Sequence, residues 1–174
     1  MVRTKMTHSD KPGLREALEF ESSRLTTNEY EISKKQRLWY EGVENKELRL
    51  AYAISLSQST RVDDIRESLL HFRDFMNDVE ASGCRIEDLL WLMATSHYYL
   101  CQFDKARESV EQLYRLQPDS PQVHSLFQAI KYRHNEQMEQ AKKIETDNLV
   151  TAGVGVGVLS LLIGGAFMLA RGRK

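Results

Sequence analysis

Residues 92–118 read LMATSHYYLCQFDKARESVEQLYRLQP, and this stretch decides the fold. It holds two helical patterns back to back. In the first, a large apolar residue and then a small one, Met93 and Ala94, stand on the packing face. In the second, Phe103 stands before the helix, Ala106 follows three residues on, and Val110, Leu113 and Leu116 continue an apolar stripe up to Pro118. Three- and four-residue recurrence marks one face of a helix, and proline after the stripe marks a stop. Ala94 and Ala106 carry almost no side chain, so two helices can approach closely there. Cys101 stands where glycine is usual for such a turn, and His97 falls on the apolar face. A histidine so placed is read as a satisfied core residue rather than a ligand.

These offsets match the second part of a tetratricopeptide unit, in which each small residue is a packing requirement. Upstream, RLAYAISLSQS followed by DDIRESLLHFRDFM reads as a more divergent copy, with Ala53 standing 41 positions before Ala94. A linker around Glu80–Glu87 is expected to absorb the extra length over the usual 34 or so. Two repeats are fewer than such stacks need, so flanking helices must cap them.

The flanks supply them. Glu29–Glu41 is expected as a helix stopped by Gly42, and a second runs over about Glu44–Ser59 with Leu48, Tyr52 and Leu56 on one face. The next opens at Asp63 or Asp64, read as capping acceptors, carries Ile65, Leu69, Phe72, Met76 and Val79, and ends at Ala81-Ser82-Gly83. Glu87–Leu100 and the segment from Asp104 form the repeat hairpin. Ser120–Pro121 then caps a sixth helix whose face holds Val123, Leu126, Phe127, Ile130, His134, Met138 and Ala141. Residues 1–27 are polar, broken at Pro12–Gly13, with Leu14, Leu18 and Leu25 suggesting a short helix or an ordered arm. No two-residue alternation of useful length occurs. The expectation is an all-α, tetratricopeptide-like helical bundle of about six helices and two divergent repeats, plus one C-terminal transmembrane helix.

That last element is LVTAGVGVGVLSLLIGGAFMLA, Leu149–Ala170, which holds no ionisable side chain. As a helix its 22 residues extend about 33 Å, enough for a hydrocarbon core of about 30 Å. A cytosolic domain of this size has no room to surround a helix apolar on every face. The expected organisation is therefore an N-terminal arm (1–27), a cytosolic helical domain (28–148), an anchor (149–170) and a basic tail (171–174). With four residues after the span, insertion is expected to follow translation and leave residues 1–148 in the cytosol. Gly153 and Gly157 form a GxxxG and Ser160 with Gly164 a small-xxx-small pair, a spacing that supports self-association, while glycine is also simply common in membrane helices.

Charge excludes one class of partner. Arg171, Arg173 and Lys174 are three of the 24 Lys/Arg, so residues 1–148 set 21 cations against 25 Asp/Glu, a net of about −4. Nucleic acid needs a surplus of clustered Lys and Arg, and is not expected. Cys84 and Cys101 form no CxxC, no histidine lies at metal-ligand spacing from either, and GxxxxGK[ST] is missing. Neither an enzyme nor a metal or cofactor site is expected.

The string Tyr52-Ala53-x-x-Leu56-x-x-Ser59 with Asp64-Ile65-Arg66, then Phe103-Asp104-Lys105-Ala106 through Pro118 and the glycine-rich anchor, resembles the mitochondrial fission 1 protein family. The resemblance covers roughly residues 44–174 and is weak over 1–43. It implies an adaptor on the mitochondrial outer membrane and peroxisomes that recruits a dynamin-related GTPase, directly or through bridging adaptor proteins. In some members an N-terminal arm folds over a concave groove. In such repeats the first helices line the groove, which places Leu50, Ile54 and Ser57 with Trp91, Thr95 and Tyr98 on the partner-binding face. Those residues suit an apolar helix or extended segment, although the chain's own arm or flanking helices are an alternative cover for them. A membrane-anchored co-chaperone is the alternative function. It would need Lys, Asn and Arg on the inner face to hold a terminal carboxylate, where this chain offers Trp91, Thr95 and Tyr98.

Overall fold

The computed structural model describes residues 13–42, 45–79 and 83–151, of which the side chains of 146–151 are not described. The predicted Leu149–Ala170 span, with Gly153, Gly157, Ser160 and Gly164, thus falls outside the described residues except for the backbone of 149–151. Among the described residues no helix is long and apolar enough to cross a membrane.

Seven helices and no strand occur among the described residues: α1 (Leu14–Ser22), α2 (Glu29–Glu41), α3 (Lys46–Ser57), α4 (Val62–Asn77), α5 (Ile86–Tyr99), α6 (Phe103–Leu116) and α7 (Pro121–Thr151). The count exceeds the expected six because the polar arm contributes α1. Residues up to Tyr132 form one compact unit and residues from Arg133 a second.

Side chains cap three of the helix starts, those of α2, α3 and α7. Asn28 Oδ1 accepts the Glu31 amide at 2.9 Å, and Asn45 Oδ1 accepts those of Glu47 and Leu48 at 2.9 and 3.2 Å. Ser120 Oγ accepts the Val123 amide at 3.4 Å, just ahead of Pro121. The expected acidic cap of α4 is not formed. The Ser59 hydroxyl donates to Asp64 Oδ2 at 2.6 Å and accepts the Arg61 amide at 3.1 Å, so the Asp64 carboxylate is held by a serine before the helix and no side chain caps α4.

α5 ends as the substituted glycine foretold. Cys101 adopts φ 57°, its amide donates to the Tyr98 carbonyl at 3.0 Å, and the Gln102 amide donates to His97 at 2.9 Å. This is the paired ending that normally favours glycine.

Packing follows the repeat. Ala53, Ala94 and Ala106 are wholly buried, the close approaches their size allows. Ala53, Phe72, Phe75 and Leu89 form one cluster across α3, α4 and α5. Leu90, Ala94, Val110, Leu113, Val123, Leu126 and Ile130 form a larger one across α5, α6 and α7. Ile32 packs with Tyr52 and Leu56, so α2 caps the first repeat.

Several predicted core residues face water: Leu18, Leu25, Leu116 and Met138 are each about half exposed or more. Leu116 closes α6, past the reach of its neighbours. In the second unit, helical residues 133–151 expose Met138 and Ile144, and Arg133 Nη1 donates to Glu136 at 2.7 Å.

A polar network lies under α2. Tyr52 Oη donates to Glu67 at 3.0 Å and accepts from Gln36 Nε2 at 3.1 Å. Arg49 Nε donates to His71 Nδ1 at 3.1 Å and also pairs with Asp74. Trp39 stacks on Tyr52 at 5.3 Å and meets the His71 ring edge-on at 5.3 Å. Burial, then the Arg49 charge, lowers the pKa of His71, while burial raises that of the Tyr52 phenol.

Candidate protein-docking groove

α3 and α5 are the first helices of the two repeats and carry the six residues expected on the partner-binding face. Leu50 and Ile54 are partly buried on α3, and Trp91 and Thr95 on α5, leaving apolar and aromatic surface in reach of solvent. The other two predicted residues are placed differently. Ser57 is buried, with its hydroxyl donating to the Ile54 carbonyl at 2.7 Å. Tyr98 is only 4% exposed, because the chain lies across it.

What covers Tyr98 is α1. Ala17, wholly buried, joins the cluster containing Leu90, Ala94 and Tyr98. Phe20 meets Trp91 and Tyr98 edge-on at 6.5 and 5.1 Å and stacks on Tyr99 at 5.7 Å. Tyr98 Oη donates to Glu21 Oε1 at 2.9 Å. Beyond the helix, the Arg24 guanidinium lies 3.9 Å over the Tyr99 ring and Nη2 donates to the Ser59 carbonyl at 2.6 Å. Thr27 follows with two bonds to Gln58, amide to carbonyl at 3.0 Å and hydroxyl to Oε1 at 2.8 Å. The arm therefore crosses from the second repeat to the turn that ends α3.

The start of the arm is fitted as closely. Gly13 has φ +85°, and a Cβ built there would stand 2.8 Å from the Gln128 carbonyl oxygen and 2.9 Å from Tyr132 Cβ. Only glycine takes both that backbone and that approach.

α1 thus covers Tyr98 and touches Trp91 and Tyr99. Leu50 and Ile54 pack against the cluster of Ala53, Phe72, Phe75 and Leu89, Trp91 packs against the cluster of Leu90 and Ala94, and Tyr98 lies under α1. Phe20, Glu21, Arg24 and Tyr99 were not read from the sequence as groove residues. One signal was there: Phe20 is the only aromatic residue in positions 1–27, three after an alanine.

His97 takes the core role expected of it. It is buried, its Nδ1 donates to Gln102 Oε1 at 2.8 Å, and burial lowers its pKa. A cleft of about 490 Å³ between α1 and the α6–α7 turn is lined by Arg15, Glu16, Glu19, Asp119 and His124 among others, too polar a lining for an apolar helix.

No protein-family model matches the chain, and no curated protein matches its sequence significantly. Solved structures do. The crystal structure of the fission protein Fis1 from Saccharomyces cerevisiae is similar with TM-score 0.62 at 17% identity, over 69% of this chain and 93% of that one. Yeast Fis1 in complex with an Mdv1 fragment containing N-terminal extension and coiled-coil domains gives 0.61 at 18%, over 77% and 99%. The solution structure of the yeast mitochondria fission protein Fis1 gives 0.54 at 21%, over 89% and 96%. Built from two capped helical repeats, this chain has the fold of Fis1.

Proposed function

We propose that the chain is a membrane-anchored adaptor of organelle fission. Its cytosolic groove recruits a dynamin-related GTPase, directly or through a bridging adaptor, and the segment Leu149–Ala170 holds it on the mitochondrial outer membrane and peroxisomes. The observation that carries this reading is the aromatic pair Trp91 and Tyr98 on α5, which already seats a helix: α1 rests Phe20 against both rings. A groove that holds an amphipathic helix in cis offers the same surface to one in trans. The yeast Fis1 complex with an Mdv1 fragment supplies the parallel for a bridging partner.

Capture tests it. A Trp91→Ala, Tyr98→Ala pair would address the predicted face, but Tyr98 is buried, and its loss would leave a cavity costing on the order of 3 kcal/mol. Ile54→Lys with Trp91→Ala changes only partly exposed positions. The expected result is loss of GTPase or bridging-adaptor capture by the full chain, with helicity by circular dichroism retained. Unchanged capture refutes the groove. For the anchor, a fluorescent fusion of residues 145–174 is expected at the same organelles as the full chain, and diffuse fluorescence would contradict it.

A further inference from the structure

We infer that Ser120 is a phosphorylation site for a proline-directed protein kinase, and that the added phosphate enters the charged cleft between α1 and the α6–α7 turn and loosens α1. The modification stands apart from the adaptor reading and adds a chemical input to the same fold.

The turn reads Pro118-Asp119-Ser120-Pro121. Pro118, Asp119, Pro121 and Gln122 are exposed around a half-buried Ser120. A kinase draws the residues flanking its serine into an extended strand, so the local backbone has to let go easily. Here it is held by two long bonds. The Ser120 amide donates to the Gln117 carbonyl at 3.3 Å, and Ser120 Oγ accepts the Val123 amide at 3.4 Å. The prolines help. Gln117 and Ser120 each precede one, which steers both away from helical backbone and toward the extended form a kinase takes.

Pro121 also selects the enzyme. It offers no amide N–H after the serine, and so fits a kinase whose pocket for that residue takes a ring. Gln117 stands three residues ahead, where an arginine-directed kinase needs a cation. In the transfer, Ser120 Oγ bonds to the terminal phosphorus of ATP as the bond from that phosphorus to the bridging oxygen breaks. ADP leaves, and the hydroxyl proton passes to the aspartate base of the kinase.

The product meets fixed charges. The cleft of about 490 Å³ is lined by Ser120 together with Arg15, Glu16, Glu19, Asp119 and His124. α1 thus presents two carboxylates and one guanidinium, and Arg15 is already engaged by Glu19 at 2.7 Å. A phosphate carries about −1.5 to −2 charges at neutral pH, so Glu16 and Glu19 repel it more than Arg15 attracts it. α7 tolerates it, since negative charge at a helix start is favourable. The repulsion falls on α1.

The test incubates the full chain in micelles with a purified proline-directed kinase and Mg-ATP. Mass spectrometry of the tryptic fragment 116–131, fragmented to separate Ser120 from Ser125, reads the site. Phosphate is expected on Ser120, and Pro121→Ala is expected to be labelled at least about tenfold more slowly with its circular dichroism unchanged, the size of one lost pocket contact. Equal labelling of the two chains overturns the site. So does a wild-type chain left untouched, whether or not a synthetic peptide of residues 115–126 is labelled. Amide exchange on the phosphorylated chain reads the consequence. Protection of α1 is expected to fall about fivefold, as a few exposed charge contacts allow, with α5 and α6 unchanged. A Glu16→Gln, Glu19→Gln chain is expected to show no such fall. Unchanged or raised α1 protection in the phosphorylated wild type refutes the loosening.

Discussion

Replacing Gly13 with alanine asks whether the arm is a separable lid on the groove. Gly13 sits at φ +85°, where a residue with a Cβ is strained by about 1–3 kcal/mol. The new methyl would also stand 2.8 Å from the Gln128 carbonyl and 2.9 Å from Tyr132 Cβ. Neither is the loose end of a side chain, so α7 backbone or α1 must shift, at about 1–3 kcal/mol more. Against this stand the Phe20 ring contacts at about 0.5–1.5 kcal/mol, the Arg24 cation–π contact at about 1 kcal/mol, and a few hydrogen bonds of about 1 kcal/mol each. The two sides are comparable, so alanine shifts the arm from mostly docked to mostly released. The assay is amide hydrogen exchange on the full chain. Protection of α1 amides is expected to fall at least about thirtyfold, the equivalent of about 2 kcal/mol. The α5 and α6 amides keep their protection, and Trp91 fluorescence changes as Phe20 leaves it. Unchanged α1 protection refutes the clash argument. Equal loss across α1, α5 and α6 refutes the separable arm.

Acid should weaken the fold through His71 and His97, whose pKa values are both lowered chiefly by burial. The folded state prefers the neutral rings, so their stabilisation is full above the ordinary value near 6.5 and is lost as pH falls through the lowered folded values. Urea midpoints should therefore drop between pH 7.5 and 5, and less steeply in His71→Gln and His97→Gln chains. At the α5 ending, Cys101→Gly is expected to stay within about 1 kcal/mol of wild type because relief at φ 57° offsets lost packing and greater chain entropy. Cys101→Val, β-branched in the same conformation, should cost at least about 2 kcal/mol by thermal unfolding. Phe72→Ala, emptying a fully buried site, should cost about 3–5 kcal/mol.

Where periodicity carries the information, the sequence was readable. Ile65, Leu69 and Phe72 are buried as their spacing requires, Gly42 ends α2, and Ala53, Ala94 and Ala106 make the close approaches of two repeats. The arm was harder because its docking face is chosen by ring geometry and one buried phenol, and leucine counting picks Leu18 and Leu25, which face water. The Arg49, Tyr52, Glu67 and His71 network was hidden for a related reason. Polar residues satisfied by one another across α3 and α4 leave no trace in an apolar pattern. Likewise, Asp64 looked like a cap, but a serine five residues earlier competes for its carboxylate.

The central claim is that a partner's helix lies along the inner faces of α3 and α5. An amide NMR titration of the full Gly13→Ala chain in micelles with the helical fragment of its fission partner tests it most directly. The account predicts shifts concentrated at Leu50, Ile54, Trp91 and Thr95 and at the vacated face of Tyr98. Shifts gathered instead on the outer faces of α4 and α6, or none at saturating fragment, would contradict it.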